Sequence, residues 1–117
     1  MTDAPFGRLL TAMVTPMTPD GAVDSAGIGR VVEHLLASGH DGIVVNGTTG
    51  ESSTLTTQES IDVVRQVVER VDGRAHVVAG AGSNDTAHAV HLATEMAAVG
   101  ATGLLVVTPY YNRPPQR

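Results

Sequence analysis

Between an apolar stretch and a helical pattern, residues 44–52 read VVNGTTGES, with two adjacent threonines enclosed by glycines. Gly47 and Gly50 permit a tight turn and close approach of backbone to a ligand. Successive N–H groups in such a turn form a nest for an anion, and the hydroxyls of Thr48 and Thr49 add donors. The spacing does not match G-x-x-x-x-G-K-[ST] and no lysine follows, so a small carboxylate suits the turn better than a nucleotide phosphate. Read as structure alone, the stretch is a glycine turn carrying surface threonines, and both readings stand at this point.

The only two tyrosines, Tyr110 and Tyr111, lie side by side near the end of the sequence. A phenol is a poor base at neutral pH unless a hydroxyl partner relays its proton. Thr48 could be that partner if the two loops converge; the alternative is a pair of aromatic lids packed over an apolar rim. GAGSND (80–85) contains G-x-G but lacks a third glycine, so a tight loop ending in a helix cap at Asp85 accounts for it better than dinucleotide binding. His88 and His91 are spaced i, i+3, without the third ligand a metal site needs. His34, His40 and His76 read as surface or element-end residues. Arg65, Arg70 and Arg74, with Glu69 and Asp72, read as the solvated end of a helix.

These loops need a scaffold, and the hydrophobic periodicity supplies one. LLTAMV (9–14) is a short apolar run closed by Thr15-Pro16, which predicts a buried strand, and PDG (19–21) predicts a turn. From Ser25, Ile28, Val31, Val32, Leu35 and Leu36 recur at helical spacing, with Gly39 placed to end the helix. GIVV (42–45) predicts the second strand. Thr56 and Glu59 spell a capping box, opening a helix with Ile61, Val64, Val68 and Val71 on one side. HVVAG (76–80) predicts the third strand. A helix capped by Asp85 follows, carrying Ala89, Leu92, Ala93, Met96 and Val99, and GLLVV (103–107) predicts the fourth strand.

The order β-α-β-α-β-α-β, in units of about thirty residues, predicts a parallel sheet with right-handed crossovers. An internal echo agrees: ASGHDGIVV (37–45) and AVGATGLLVV (98–107) both run A-x-G-x-x-G into aliphatics. Four strands and three helices suit either a small open sheet or half of an eight-stranded barrel. The half barrel is favoured, because a sheet left open would expose two edges and an apolar face. In either fold, Thr15-Pro16, NGTTGES, GAGSND and TPYYNRP (108–114) fall at the carboxyl ends of the strands, where parallel α/β folds bind ligands.

Composition narrows the partners. A net charge of −5 disfavours nucleic acid and anionic membranes. The absence of cysteine excludes disulfides and thiolate metal sites and suits a reducing cytoplasm. No stretch approaches membrane-spanning length. The expectation is a soluble, cytoplasmic protein.

TAMVTP, GTTGES and VTPYYNRPPQ, collinear over nearly the whole chain, resemble the dihydrodipicolinate synthase family. GTTGE alone would point only to the wider pyruvate-dependent class I aldolases, which include sialic acid lyase; the VTPYYNRP loop narrows the resemblance. It implies a (β/α)8 barrel, of which residues 1–117 are the N-terminal portion and no second domain is present. It implies a homotetramer built from tight dimers, no cofactor, and condensation of pyruvate with aspartate semialdehyde through a lysine Schiff base in lysine and diaminopimelate biosynthesis. By the same resemblance, Thr49 with Thr48 binds the pyruvate carboxylate. Thr48 is also the middle of a Tyr-Thr-Tyr proton relay, and Tyr111 is offered across the dimer interface into the neighbouring site. Ser52, Asn84 and Tyr110 match positions that bind lysine as a feedback inhibitor. Thr57, Ser60 and His88 depart from the His, His and Glu common in lysine-sensitive members, which argues against that regulation.

One residue type is missing: the seven basic residues other than histidine are all arginine. Arginine stays protonated and forms no imine. The expectation is therefore that these 117 residues are inactive alone and the lysine lies in the other half of the barrel. The competing expectations are a half barrel that binds a small carboxylate without catalysis, and another pyruvate aldolase of the same superfamily.

Overall fold

The computed structural model describes residues 4–115. Four strands alternate with three helices: β1 (Leu10–Ala12), α1 (Ser25–Ala37), β2 (Gly42–Val45), α2 (Thr57–Val71), β3 (His76–Gly80), α3 (Thr86–Ala98) and β4 (Gly103–Leu105). All pairings are parallel and the strand order is β1-β2-β3-β4. Both terminal strands are shorter than predicted. Leu9 and Val14 flank β1 about half exposed, and Val106 and Val107 leave the ladder after β4.

Register divides the side chains between two faces. Ile43 pairs with Val77 and Val45 with Ala79, and all four are buried beneath the helices. From the helix side come Ile28, Val32 and Leu35 of α1 and Leu92 and Met96 of α3. α2 buries a wider stripe than predicted: Val63 and Val67 join Ile61, Val64 and Val71, because this helix packs against both other helices as well as the sheet. The sheet's other face carries no helix among the described residues. Leu105 and Val107, at 48% and 50% exposure, stand at its open end.

Local chemistry sets the helix ends. Thr56 accepts from the Glu59 N–H at 3.2 Å, and Glu59 accepts in return from the Thr56 N–H at 2.7 Å, completing the predicted box. Asp24 and Asp85 cap the other two helices by accepting from Gly27 and Ala87, each at 3.0 Å. The echoed glycines act alike: Gly39 and Gly100 take positive φ (82° and 104°) just beyond their helices, where a Cβ would be strained.

One sequence reading is corrected. Arg70 and Arg74 are not simply a solvated helix end: they reach across to Glu33 of α1, at 2.9 and 2.8 Å, and tie the two helices together. This pairing holds the Glu33 carboxyl below the ordinary range, chiefly through the Arg74 hydrogen bond. Arg65 stays local, bridging Asp62 and Glu69 on α2. At the amino end of the sheet, Asp41 accepts from the N–H groups of Arg8 (2.8 Å) and Leu9 (2.9 Å). Phe6 meets His76 edge-on there, with ring centroids 5.6 Å apart.

Candidate active site

The four loops that follow the strands gather at one end of the sheet, and a cleft of about 420 Å³ opens among the second, third and fourth. Its walls are rich in hydroxyls: Thr48, Ser52, Ser53, Thr57, Ser83 and Tyr110. Leu92, Leu105 and Val107 supply an apolar part, and His88 is the one imidazole. No carboxylate and no arginine lines it among the described residues.

The turn over 46–51 is built differently from expectation. The left-handed residues are Asn46 (φ 58°) and Glu51 (φ 55°), which bracket the Gly-Thr-Thr-Gly, and neither glycine has positive φ. Gly50 serves close packing instead: a Cβ there would lie 3.2 Å from both the Met13 carbonyl oxygen and Thr15 Oγ1. Thr15 donates its hydroxyl to the Gly50 carbonyl at 2.6 Å, in a buried bond that joins the first loop to the second. Asn46, 4% exposed, donates Nδ2 to the Ser60 carbonyl of α2 at 2.8 Å.

Between these anchors the Gly47 carbonyl accepts from Gly50 (3.1 Å) and Ser52 (3.4 Å), and the Thr48 carbonyl accepts from Glu51 (3.0 Å). The N–H groups and hydroxyls of Thr48 and Thr49 have no hydrogen-bond partner among the described residues, and both threonines are exposed. Two adjacent free amides with two free hydroxyls are what a carboxylate or other small anion requires.

Of the six residues singled out in sequence, Thr48, Ser52 and Tyr110 line the cleft, whereas Thr49, Asn84 and Tyr111 are not on its wall. Asn84 is half-buried in the third loop, where its carbonyl accepts from the Asn112 side chain at 3.1 Å. Tyr111 is fully exposed and left-handed (φ 69°), a costly conformation for a bulky residue, so its phenol stands clear of its own chain. Thr57, Ser60 and His88, the departures noted in sequence, all reach the cleft. Asn46, Gly80 and Gly82 also line the cleft; sequence reasoning placed them in the NGTTGES and GAGSND loops but gave none of them a role. Asn46 was read only as the first residue of the NGTTGES loop, and nothing local signals a side chain whose partner is fourteen residues away.

His88 and His91 face each other with ring centroids 6.4 Å apart, and no group of three metal-ligating side chains occurs among the described residues. No helix among them is long and apolar enough to cross a membrane. Glu33, and Asp41, whose carboxyl the Arg8 and Leu9 N–H groups hold below its ordinary range, lie away from the cleft wall.

Comparison with known proteins agrees with this architecture. Residues 5–117 match the model of the dihydrodipicolinate synthetase family. A 4-hydroxy-tetrahydrodipicolinate synthase of Streptomyces coelicolor is 60% identical over 112 residues, which cover 96% of this chain and 38% of that protein. The dihydrodipicolinate synthase of Cyanidioschyzon merolae, solved with lysine bound, superposes with a TM-score of 0.92 at 44% identity, over 97% of this chain and 39% of that one. A Bacillus anthracis dihydrodipicolinate synthase gives 0.91 at 44% identity, over 98% and 39%. The chain thus spans somewhat over a third of the length of the relatives it matches, and its sheet and three helices are part of a (β/α)8 barrel. With the family model matched almost end to end, this chain belongs to the dihydrodipicolinate synthetase family.

Proposed function

We propose that the protein carrying this chain is a 4-hydroxy-tetrahydrodipicolinate synthase, a lyase of the Schiff-base aldolase type that condenses pyruvate with aspartate semialdehyde. The observation that carries the reading is the Thr48–Thr49 segment, whose two amides and two hydroxyls have no partner among the described residues at the carboxyl end of β2. In this reading, Thr49 and Thr48 hold the pyruvate carboxylate. The carbonyl carbon is thereby presented to a lysine amine, which forms the imine with loss of water. Loss of a methyl proton from the imine gives the enamine that attacks the aldehyde carbon.

The 117 residues contain no lysine, so the amine comes from polypeptide outside this sequence, and the chain is the N-terminal portion of a single barrel domain. Thr48 also relays protons between tyrosines, of which Tyr111 is one. Its full exposure supports delivery to a neighbouring subunit's site in a homodimer or homotetramer, because a phenol so placed has nothing to act on at home. Ser52 and Tyr110 share the cleft with Thr48, while Asn84 flanks it, and these three form the candidate regulatory position.

The test is to treat the full-length protein with pyruvate and borohydride and measure its intact mass. One trapped pyruvate per chain, on a lysine outside these 117 residues, is the expected result. No adduct would leave a carboxylate-binding module without this chemistry. An adduct with turnover of a sugar acid, and none of aspartate semialdehyde, would make the protein a different pyruvate aldolase.

A further inference from the structure

Two unfavourable features meet at Asn46. Its backbone is left-handed at φ 58°, and its buried Oδ1 has no protein hydrogen-bond partner among the described residues although Nδ2 is bonded. A buried, half-satisfied amide on a strained backbone contributes poorly to stability, and such positions concentrate where geometry serves a site. Gly47 and then Thr48 follow Asn46 in sequence, so its dihedrals set the direction in which the turn leaves β2. The other end of the turn is held independently, by the buried hydrogen bond from Thr15 to the Gly50 carbonyl.

We infer that Asn46 and Thr15 are positioning residues that clamp the Gly47–Gly50 turn from its two ends, to α2 and to the loop after β1, so that the amides of Thr48 and Thr49 converge on one carboxylate. The ligand in this inference rests on the function proposed above; the clamp itself does not. Each anchor comes from a different element. The apex between them is held only by the turn's own hydrogen bonds to the Gly47 and Thr48 carbonyls; the amides and hydroxyls of Thr48 and Thr49 are exposed and have no partner among the described residues. Without the clamp, the two amides would sample many orientations and lose the preorganisation that carboxylate binding needs.

Two readouts test this in the full-length protein. The first is the pyruvate concentration that gives half-maximal borohydride trapping. Asn46→Gly keeps the left-handed backbone at no steric cost but removes the amide, and Thr15→Val removes only the hydroxyl. Each variant is expected to raise the half-saturating pyruvate about tenfold, the value of one lost hydrogen bond, while the final trapped fraction is unchanged. Thr15→Ser restores the wild-type value. The second readout needs no ligand: amide hydrogen exchange at Gly50, Glu51 and Ser52 becomes about tenfold faster in both variants.

Half-saturation and exchange within twofold of wild type in both variants would overturn the clamp, as would equal effects of Thr15→Ser and Thr15→Val. If Thr15→Val does not fold, Thr15→Ala replaces it in the comparison with Thr15→Ser. Absence of trapping in the wild type would overturn the proposed chemistry. The exchange rates would still decide for or against the clamp.

Discussion

Gly80 and Asn46 touch through their backbones: a Cβ at position 80 would stand 2.1 Å from the Asn46 carbonyl oxygen and 2.7 Å from its carbonyl carbon. The last residue of β3 thus packs directly under the first residue of the threonine turn. A methyl group there has only main chain to displace, and main chain at the end of a paired strand does not yield cheaply.

Gly80→Ala is therefore expected to destabilise the protein by roughly 3 kcal/mol, at the upper end of ordinary overpacking. The urea midpoint should fall with little change in slope. A loss below about 0.5 kcal/mol would mean that the two strand ends separate easily.

Thr48→Val should separate function from fold. The Thr48 hydroxyl has no partner among the described residues, so the thermal midpoint should hardly move. As the proposed middle of a proton relay, its loss should lower turnover by about a hundredfold or more. Steady-state rates of the full-length variant close to wild type would sink the relay.

The cleft wall has hydroxyls and an imidazole but no carboxylate, so an ammonium group entering it finds no counter-charge. L-lysine at millimolar concentration is expected to leave activity unchanged. His88→Glu, which places a carboxylate on that wall, should introduce inhibition. Strong inhibition of the unaltered protein would contradict this account of the cleft.

Acid should loosen the amino end of the sheet. The N–H groups of Arg8 and Leu9 hold the Asp41 carboxyl below its ordinary range. Its contribution is thus complete above the unfolded carboxyl pKa of about 3.9, and is lost as pH falls through the lower folded value. Urea midpoints should fall over that acid window in the wild type and less so in Asp41→Asn. Parallel pH profiles for the two proteins would refute the assignment.

What the sequence disclosed was chiefly local. Thr56 and Glu59 announce their box because both partners lie within one turn, and Asp24 and Asp85 announce their caps for the same reason. The parallel sheet was legible from periodicity alone. Arg70 and Arg74 were misread because their partner Glu33 lies 37 and 41 residues away, a separation that no local pattern encodes. The threonine turn was found for its composition but not for its mechanics. Gly47 and Gly50 suggested a tight turn open to a ligand, yet Asn46 and Glu51 supply its left-handed backbone, while Gly50 and Gly80 are small because other backbone lies against them. Close approach between distant strands leaves no mark on the neighbours in sequence.

The strand order β1-β2-β3-β4 also bears on how the protein is made. No strand must wait for a later one to be inserted beside it, since each pairs with the strand synthesised just before. A chain leaving the ribosome amino end first can add one strand and helix at a time to a single advancing edge, with each new strand pairing bridging only about thirty residues. Assembly and synthesis then run in the same direction, and the threonine turn is in place well before the last strands of the barrel arrive.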